Sequence, residues 1–277
     1  LGKMDLIQGD RFKELADFTY APEVAEKGDY DNLENTFIRI RPLKHVNVIY
    51  THTMYAKQLF GLIKNLPHGF VIVTHNSDVN VDNTFEIPSN VLRWWSQNVA
   101  MDHPNLFSIP IGVENDRWLN KMYKKELLLK YMTVERSVKN VVYMNHNINT
   151  NPVKRADLYP MFENVAWVTS EHGKNGFQFE EYLQNLCSHS FMICPEGNGI
   201  DTHRVWESLY LGCIPIMVKN FNNKFYQDLP ILLLNDWSEV KDLNFLMEKK
   251  KEFYAKYNFK NLPQLNFSYW KSKILGI

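Results

Sequence analysis

Arg204 and Glu207 stand three residues apart, just behind the polar run Pro195-Glu196-Gly197-Asn198-Gly199-Ile200-Asp201-Thr202. On a helix that spacing puts a guanidinium and a carboxylate on one face. An isolated pair of this kind is an ordinary surface ion pair, worth about 0.3 kcal/mol. The surroundings point elsewhere. Ser190 to Cys194 is a short apolar run suited to a buried strand, and Cys213 to Val218 is a second, rich in branched residues. Between them Asp201 or Thr202 can cap a helix that runs to about Leu211 and stops at Gly212. The unit therefore reads strand, glycine loop, helix, strand. Its helix N-terminus opens at the carboxyl end of the first strand, where open parallel sheets bind ligands and free N–H groups favour anions such as phosphate. With Val205, Leu209 and Gly212 packed on the sheet, Arg204 and Glu207 turn towards the mouth of that crevice. The guanidinium can hold a diphosphate in a fork, and the carboxylate can accept both hydroxyls of a ribose.

The segment PEGNGIDTHRVWESLYLGCIPIMV resembles the donor-binding segment of exostosin-like glycosyltransferases. The likeness lies in an acidic-glycine loop, an Arg, an acid three residues on, then L-G-C-I-P. It is nearest to the small exostosin-like enzymes of large algal viruses, among them a xylosyltransferase. The match covers about thirty residues, and the rest of the chain agrees in element order and size. The resemblance implies an α/β chain of two Rossmann-like domains facing a cleft, the GT-B fold. It implies transfer of a sugar from a nucleotide, with xylose from UDP-xylose as the first expectation. A GDP-fucose-dependent fucosyltransferase is the alternative, because that family has a similar Arg-and-acid helix. A nucleotide- or glycan-binding protein without catalysis is the other. Spacing alone implies only a phosphate or nucleotide site.

Such a transfer needs a stabilised leaving diphosphate and a base for the acceptor hydroxyl. Arg155, Arg204, the Gly197, Asn198 and Gly199 loop and the helix start at Thr202 can converge on phosphate oxygens. Arg155 falls in a helical first turn, where the dipole disfavours a cation. A task at the site or a solvated basic surface would each explain that. Asn145, Asn147 and Asn149 lie in a polar loop at a strand end, where they contact the ligand or simply make turns. Val168, Thr169 and Ser170 end a strand beside the presumed nucleotide, and Glu171-His172-Gly173 continues the loop. The base is expected in the first half: Asp78 first, then His75, Glu114 and His52, all just past strand ends. This assumes inversion at the anomeric carbon. No metal or cofactor is expected, the nucleotide sugar being a substrate. The Asp29-Tyr30-Asp31 triplet lacks a preceding strand and reads as loop. Asp78 to Asn83 lacks the glycine and glutamate of a calcium loop, and the nine histidines form no H-x-x-x-H pair.

The elements that must position these groups come in two runs. In the first, His45–Tyr50, Phe70–Val73 and Leu106–Val113 read as strands. Met54–Lys64 and Pro88–Ala100 read as helices, and Phe12, Leu15 and Phe18 hint at another. Trp94, Trp95 and Trp118 could stack on acceptor sugars, with one of the first two exposed. Lys121 to about Lys139 reads as a charged, helical linker. The pattern then restarts with strands at Asn140–Met144 and Val165–Val168 and helices from Pro152 and over Phe177–Leu186. The organising unit follows, then a strand at Ile231–Leu234, a long helix over Ser238–Tyr257 and a final helix over Asn266–Ile274. Alternating strands and helices mean parallel sheets with crossover helices. The expected domains are 1–130 for the acceptor, 131–265 for the nucleotide sugar, and a terminal helix over 266–277 that crosses back.

The chain has 277 residues, 45% of them apolar and 14% aromatic, enough for two modest cores. Its 31 basic and 31 acidic residues give zero net charge, which argues against a nucleic-acid partner. Cys187, Cys194 and Cys213 read as buried reduced thiols. No membrane span or signal peptide is visible. Leu1-Gly2-Lys3 ahead of Met4 reads as a cloning remnant. The expectation is a cytoplasmic enzyme, in the host cytosol if viral, or a luminal domain without its anchor. Golgi exostosins are membrane-anchored, and the chain departs from them there.

Overall fold

A computed structural model describes residues 5–22, 44–171 and 178–277. Asp29-Tyr30-Asp31, His172 and Gly173 lie outside the described residues. The chain divides into two compact units, one of Ile7–Ile111 with Phe267–Ile277, the other of Gly112–Asn266 with residues 5–6.

The first unit is built on a parallel sheet of β1 (Phe18–Tyr20), β2 (Val46–His52), β3 (Gly69–His75), β4 (Val91–Ser96) and β5 (Leu106–Ser108), in the order β1-β2-β3-β4-β5. β2 and β3 run in register from Val46 beside Gly69 to His52 beside His75. Helix α1 (Gly9–Lys13) precedes the sheet, and α2 (Ala56–Ile63) is the crossover between β2 and β3. α2 turns Ala56, Leu59, Phe60 and Ile63 onto a core that holds Ile49, Ile72 and Trp94.

Several expected elements differ here. Phe18 lies in a strand, and the helix before it stops at Lys13. Pro88–Ala100 is not a helix: Val91–Ser96 is a strand between β3 and β5. Apolar Val91, Trp94 and Trp95 satisfy helical spacing, but a strand covered on both faces also buries residues without alternation. Aromatic side chains favour that environment. Neither tryptophan of the pair is exposed, Trp94 and Trp95 both being buried. The Trp94 indole N–H donates to Thr74 Oγ1 at 2.9 Å, which satisfies its polar end within the core.

The second unit has β6 (Asn140–Met144), β7 (Val168–Ser170), β8 (His189–Ile193), β9 (Ile214–Val218) and β10 (Leu232–Leu234), all parallel, in the order β10-β9-β8-β6-β7. Its helices are α3 (Asp116–Leu119), α4 (Lys124–Thr133), α5 (Pro152–Arg155), α6 (Leu158–Phe162), α7 (Phe179–Ser188), α8 (His203–Tyr210), α9 (Asn223–Tyr226) and α10 (Leu243–Lys256). The terminal helix, α11 (Phe267–Leu275), belongs to the first unit, where Phe267 meets Phe12 edge-on with centroids 5.1 Å apart.

The stretch expected as a linker is part of the second unit. Leu128 of α4 is fully buried, and the Tyr131 hydroxyl donates to Glu180 on α7 at 2.9 Å. The helix expected over Ser238–Tyr257 is broken. A 3-10 turn over Trp237–Lys241 comes first, and Asp242 then caps α10 by accepting the Phe245 N–H at 3.0 Å. A capping carboxylate restarts a helix more cheaply than the turn could continue through it.

Candidate functional site

Strand order decides where the second unit can hold a ligand. From β6 the chain moves to β7 on one side and to β8 on the other, so the order reverses beside β6. Loops leaving β6 and β8 diverge at such a point and leave a crevice outside their carboxyl ends. The two loops are Asn145–Asn151 and Cys194–Thr202. Among the described residues the first unit has no such reversal, its strands lying in chain order.

Arg155 ties the two loops together. It is buried, its Nε donates to the Glu196 carbonyl at 2.9 Å, and NH1 donates to the Asn147 carbonyl at 2.8 Å. Asn151 adds a hydrogen bond to the Gly197 carbonyl at 3.0 Å. A Cβ on Gly197 would stand 3.0 Å from Arg155 NH2, close enough that the guanidinium would have to shift by a few tenths of an ångström. Burial, then the neighbouring charge of Arg204, bring the Arg155 guanidinium down to about 10, still cationic at neutral pH.

Helix α8 begins at the end of the β8 loop. Val205, Trp206, Ser208 and Leu209 face the core, and Gly212 takes the left-handed backbone at φ 76° that ends the helix. Asp201 is buried below the first turn. Its carboxylate accepts the Trp206 indole N–H at 2.9 Å, the Tyr226 hydroxyl at 3.0 Å and the Thr202 N–H at 3.1 Å. Thr202 occupies the cap position without a side-chain cap bond, and its Oγ1 is buried with no partner.

Arg204 is half-buried and makes no side-chain hydrogen bond or ion pair to any described residue; its Nε is buried and unsatisfied. It does not close an ion pair with Glu207, so the surface-pair reading does not describe the site. Its charge is instead felt by Arg155, Tyr159, Tyr182, Cys194 and Glu207. Glu207 accepts the Tyr182 hydroxyl at 3.1 Å. Burial pushes its carboxyl up from 4.5 to about 7, against the pull of Arg204 and with the push of nearby Glu114.

The remaining expected ligand contacts vary. Asn145 donates to Tyr143 at 2.9 Å and to Glu171 at 3.3 Å, in a network that the Tyr143 hydroxyl closes onto Glu171 at 2.7 Å. Thr169 meets His189 Nε2 at 2.8 Å. Asn147 makes a turn, accepting the Asn149 N–H at 3.0 Å, and is exposed, as is Asn198. The Gly197 N–H donates to the Gly199 carbonyl at 3.1 Å, which folds the loop on itself.

The expected bases have different surroundings. His75 is buried, with Nε2 2.9 Å from the Pro110 carbonyl and Nδ1 2.7 Å from the Asn76 N–H, and its ring stacks on Phe12. Nδ1 also lies 3.2 Å from Asn76 Oδ1, so Pro110 and Asn76 between them engage both ring nitrogens. Asp78 is exposed on the loop after β3, and half-buried His52 ends β2. Glu114 belongs to the second unit, 3.5 Å from Lys124. Tyr143 and Tyr182 were not visible as site residues, because sequence pattern assigns both to the core; Asp201 was read as a helix cap and Glu171 as loop, and neither spacing showed the tyrosine it holds.

No protein-family model matches the chain, and no curated protein matches it. Among solved structures, an alpha1,3-fucosyltransferase is similar at 11% identity and a TM-score of 0.43, over 94% of this chain and 87% of that one. A likeness of that size assigns no role to any residue.

Proposed function

We propose that the chain is a nucleotide-sugar-dependent glycosyltransferase of the GT-B kind, with the donor held by the second unit. One observation carries this reading: the Arg204 guanidinium at the start of α8, half-buried, near the charge of Arg155 and without a hydrogen bond or ion pair to any described residue. Burying a cation without a counter-charge costs free energy. A ligand diphosphate would supply that charge, with the first-turn N–H groups of α8 adding to it. Thr202 Oγ1 is a further unsatisfied group at the same place. Glu207 would accept the ribose hydroxyls, and Asn145, Asn147, Thr169 and the Gly197–Asn198–Gly199 loop would line the rest.

In the reaction the acceptor oxygen attacks the anomeric carbon as the bond from that carbon to the β-phosphate oxygen breaks. The hydroxyl proton passes to a base, and the nucleoside diphosphate leaves with its new charge held by Arg204 and Arg155. Asp78 is the foremost base, since its carboxylate is exposed whereas both His75 nitrogens are committed. Inversion, independence from metal, and xylose from UDP-xylose complete the reading. The resemblance of the Pro195–Val218 segment to exostosin-like enzymes supports the sugar. GDP-fucose is the alternative donor.

A thermal-shift panel of UDP, UDP-xylose, UDP-glucose, GDP and GDP-fucose, with and without EDTA, tests the proposal. A ligand at a hundred times its Kd adds about 2.7 kcal/mol. A shift with UDP and UDP-xylose that survives EDTA is expected. A shift with GDP-fucose alone would move the reading to fucose, and no shift with any of them would overturn the donor site.

A further inference from the structure

The turn between α3 and α4 is strained and exposed. Met122 and Tyr123 both have left-handed backbones, at φ 54° and 57°. Neither is glycine, and non-glycine residues in that region persist where something else holds them there. The turn carries Met122 and Tyr123 into solvent at 83% and 75% exposure, beside Trp118 at 49%. Cations surround the three. Lys121 Nζ is 4.1 Å from the Trp118 ring centroid, and Arg117 Cζ is 5.7 Å from it. Lys124 and Lys125 pair with Glu114 and Asp116 at 3.5 and 2.8 Å. Arg117 and Lys121 have no carboxylate partner among the described residues.

We propose that this turn is a docking surface for an anionic lipid membrane. Met122 and Tyr123 enter the boundary between headgroups and acyl chains, and Arg117 and Lys121 stay at the lipid phosphates. The composition is that of an interfacial anchor: Trp and Tyr at the water boundary, an apolar tip, and long cationic side chains that reach back to the headgroups. Charge complementarity is local: the whole chain has zero net charge, Lys124 and Lys125 are offset by Glu114 and Asp116, and Arg117 and Lys121 are the two cations of the turn left for lipid phosphates. A glycan is the weaker occupant. A sugar stacks on an open aromatic face, whereas Lys121 already sits over the Trp118 ring, and an exposed methionine offers a sugar nothing. No described helix is long and apolar enough to cross a membrane, so the contact is peripheral. It does not depend on the nucleotide reading.

Co-sedimentation of the full chain with phosphatidylcholine vesicles, with and without phosphatidylserine and at low and physiological salt, tests this. Binding is expected only with phosphatidylserine, and weaker as salt rises. Lys121→Gln and Arg117→Gln each lower the affinity about fivefold. Met122→Gly and Tyr123→Gly separate folding from docking. Glycine accepts the left-handed backbone without a Cβ clash, so these variants melt higher while vesicle affinity drops about tenfold or more. No binding to phosphatidylserine vesicles would overturn the proposal, as would glycine variants that bind like the parent. So would glycine variants that keep vesicle binding but lose self-association or oligosaccharide binding, since either result would make the turn a copy-to-copy or glycan surface.

Discussion

Replacing Glu207 by Gln should stabilise the protein, and the gain should grow with pH. In the fold the carboxyl titrates near 7 instead of 4.5, because burial outweighs the attraction of Arg204. The unfolded chain therefore releases this proton first. Between those two values the unfolded state binds fewer protons than the folded one, so stability falls as pH rises, by up to about 1.4 kcal/mol per pH unit. Below the window the group contributes nothing, and above it the loss is constant. The full span amounts to about 3 kcal/mol, less for a side chain that keeps some contact with water. Glutamine has the same shape, still accepts the Tyr182 hydroxyl, and has no charge to desolvate. Urea midpoints of parent and variant at acid, neutral and mildly alkaline pH give the test, since the other titrating groups cancel in the difference. The expected difference is near zero below the window and about 2 to 3 kcal/mol in favour of Gln above it. A difference that stays flat with pH, or that favours the parent at alkaline pH, would refute the reasoning. The second result would mean that Arg204 holds an ionised Glu207 as a pair.

Further expectations rest on the same contacts. Asp201→Ala leaves an indole N–H, a tyrosine hydroxyl and a backbone N–H without an acceptor, and should cost about 3 kcal/mol or more in chemical denaturation. Gly197→Ala sets a Cβ against Arg155 NH2; it should weaken nucleotide diphosphate binding about tenfold by titration while the melting point changes little. Asp78→Ala should lower turnover about a hundredfold or more with donor affinity and stability kept. His75→Ala should instead lower the melting temperature, because it vacates a buried position bonded on both ring nitrogens. Equal, purely catalytic losses in both variants would contradict that division.

The segment that organises the second unit was legible because its punctuation is local. Two apolar runs, a glycine loop and Gly212 mark strand, helix start and helix stop without help from the rest of the chain, and the observed bounds differ by a residue or two. Val91–Ser96 was not legible, because three apolar residues at helical spacing fit equally a strand buried on both faces. Only its neighbours β3 and β5 decide between the two. Lys121–Lys139 misled through its charge: Leu128 and Tyr131 bury one side of α4 while the lysines cover the other. At the site, Arg204 and Glu207 could be read from a three-residue spacing. Their surroundings could not, because Tyr182, which donates to Glu207, comes from α7 and Arg155 comes from α5. The commitment of both His75 nitrogens depends on Pro110, which is 35 residues away in sequence.

If Arg204 is the donor-site cation, its missing counter-charge is a diphosphate. Calorimetric titration of UDP, GDP and uridine into the parent, Arg204→Ala and Arg204→Lys tests it most directly. A nucleoside diphosphate should bind the parent, and uridine far more weakly. Arg204→Ala should lose about 1.5 to 3 kcal/mol of that affinity. Lysine, which cannot fork, should recover only part of it. Both variants should fold, since neither removes a hydrogen bond or ion pair that the Arg204 side chain makes within the described protein, and Arg204→Ala, relieved of a half-buried cation, should melt no lower than the parent. Unchanged diphosphate affinity in Arg204→Ala, or no binding of either diphosphate to the parent, would overturn the assignment of Arg204 to a donor site.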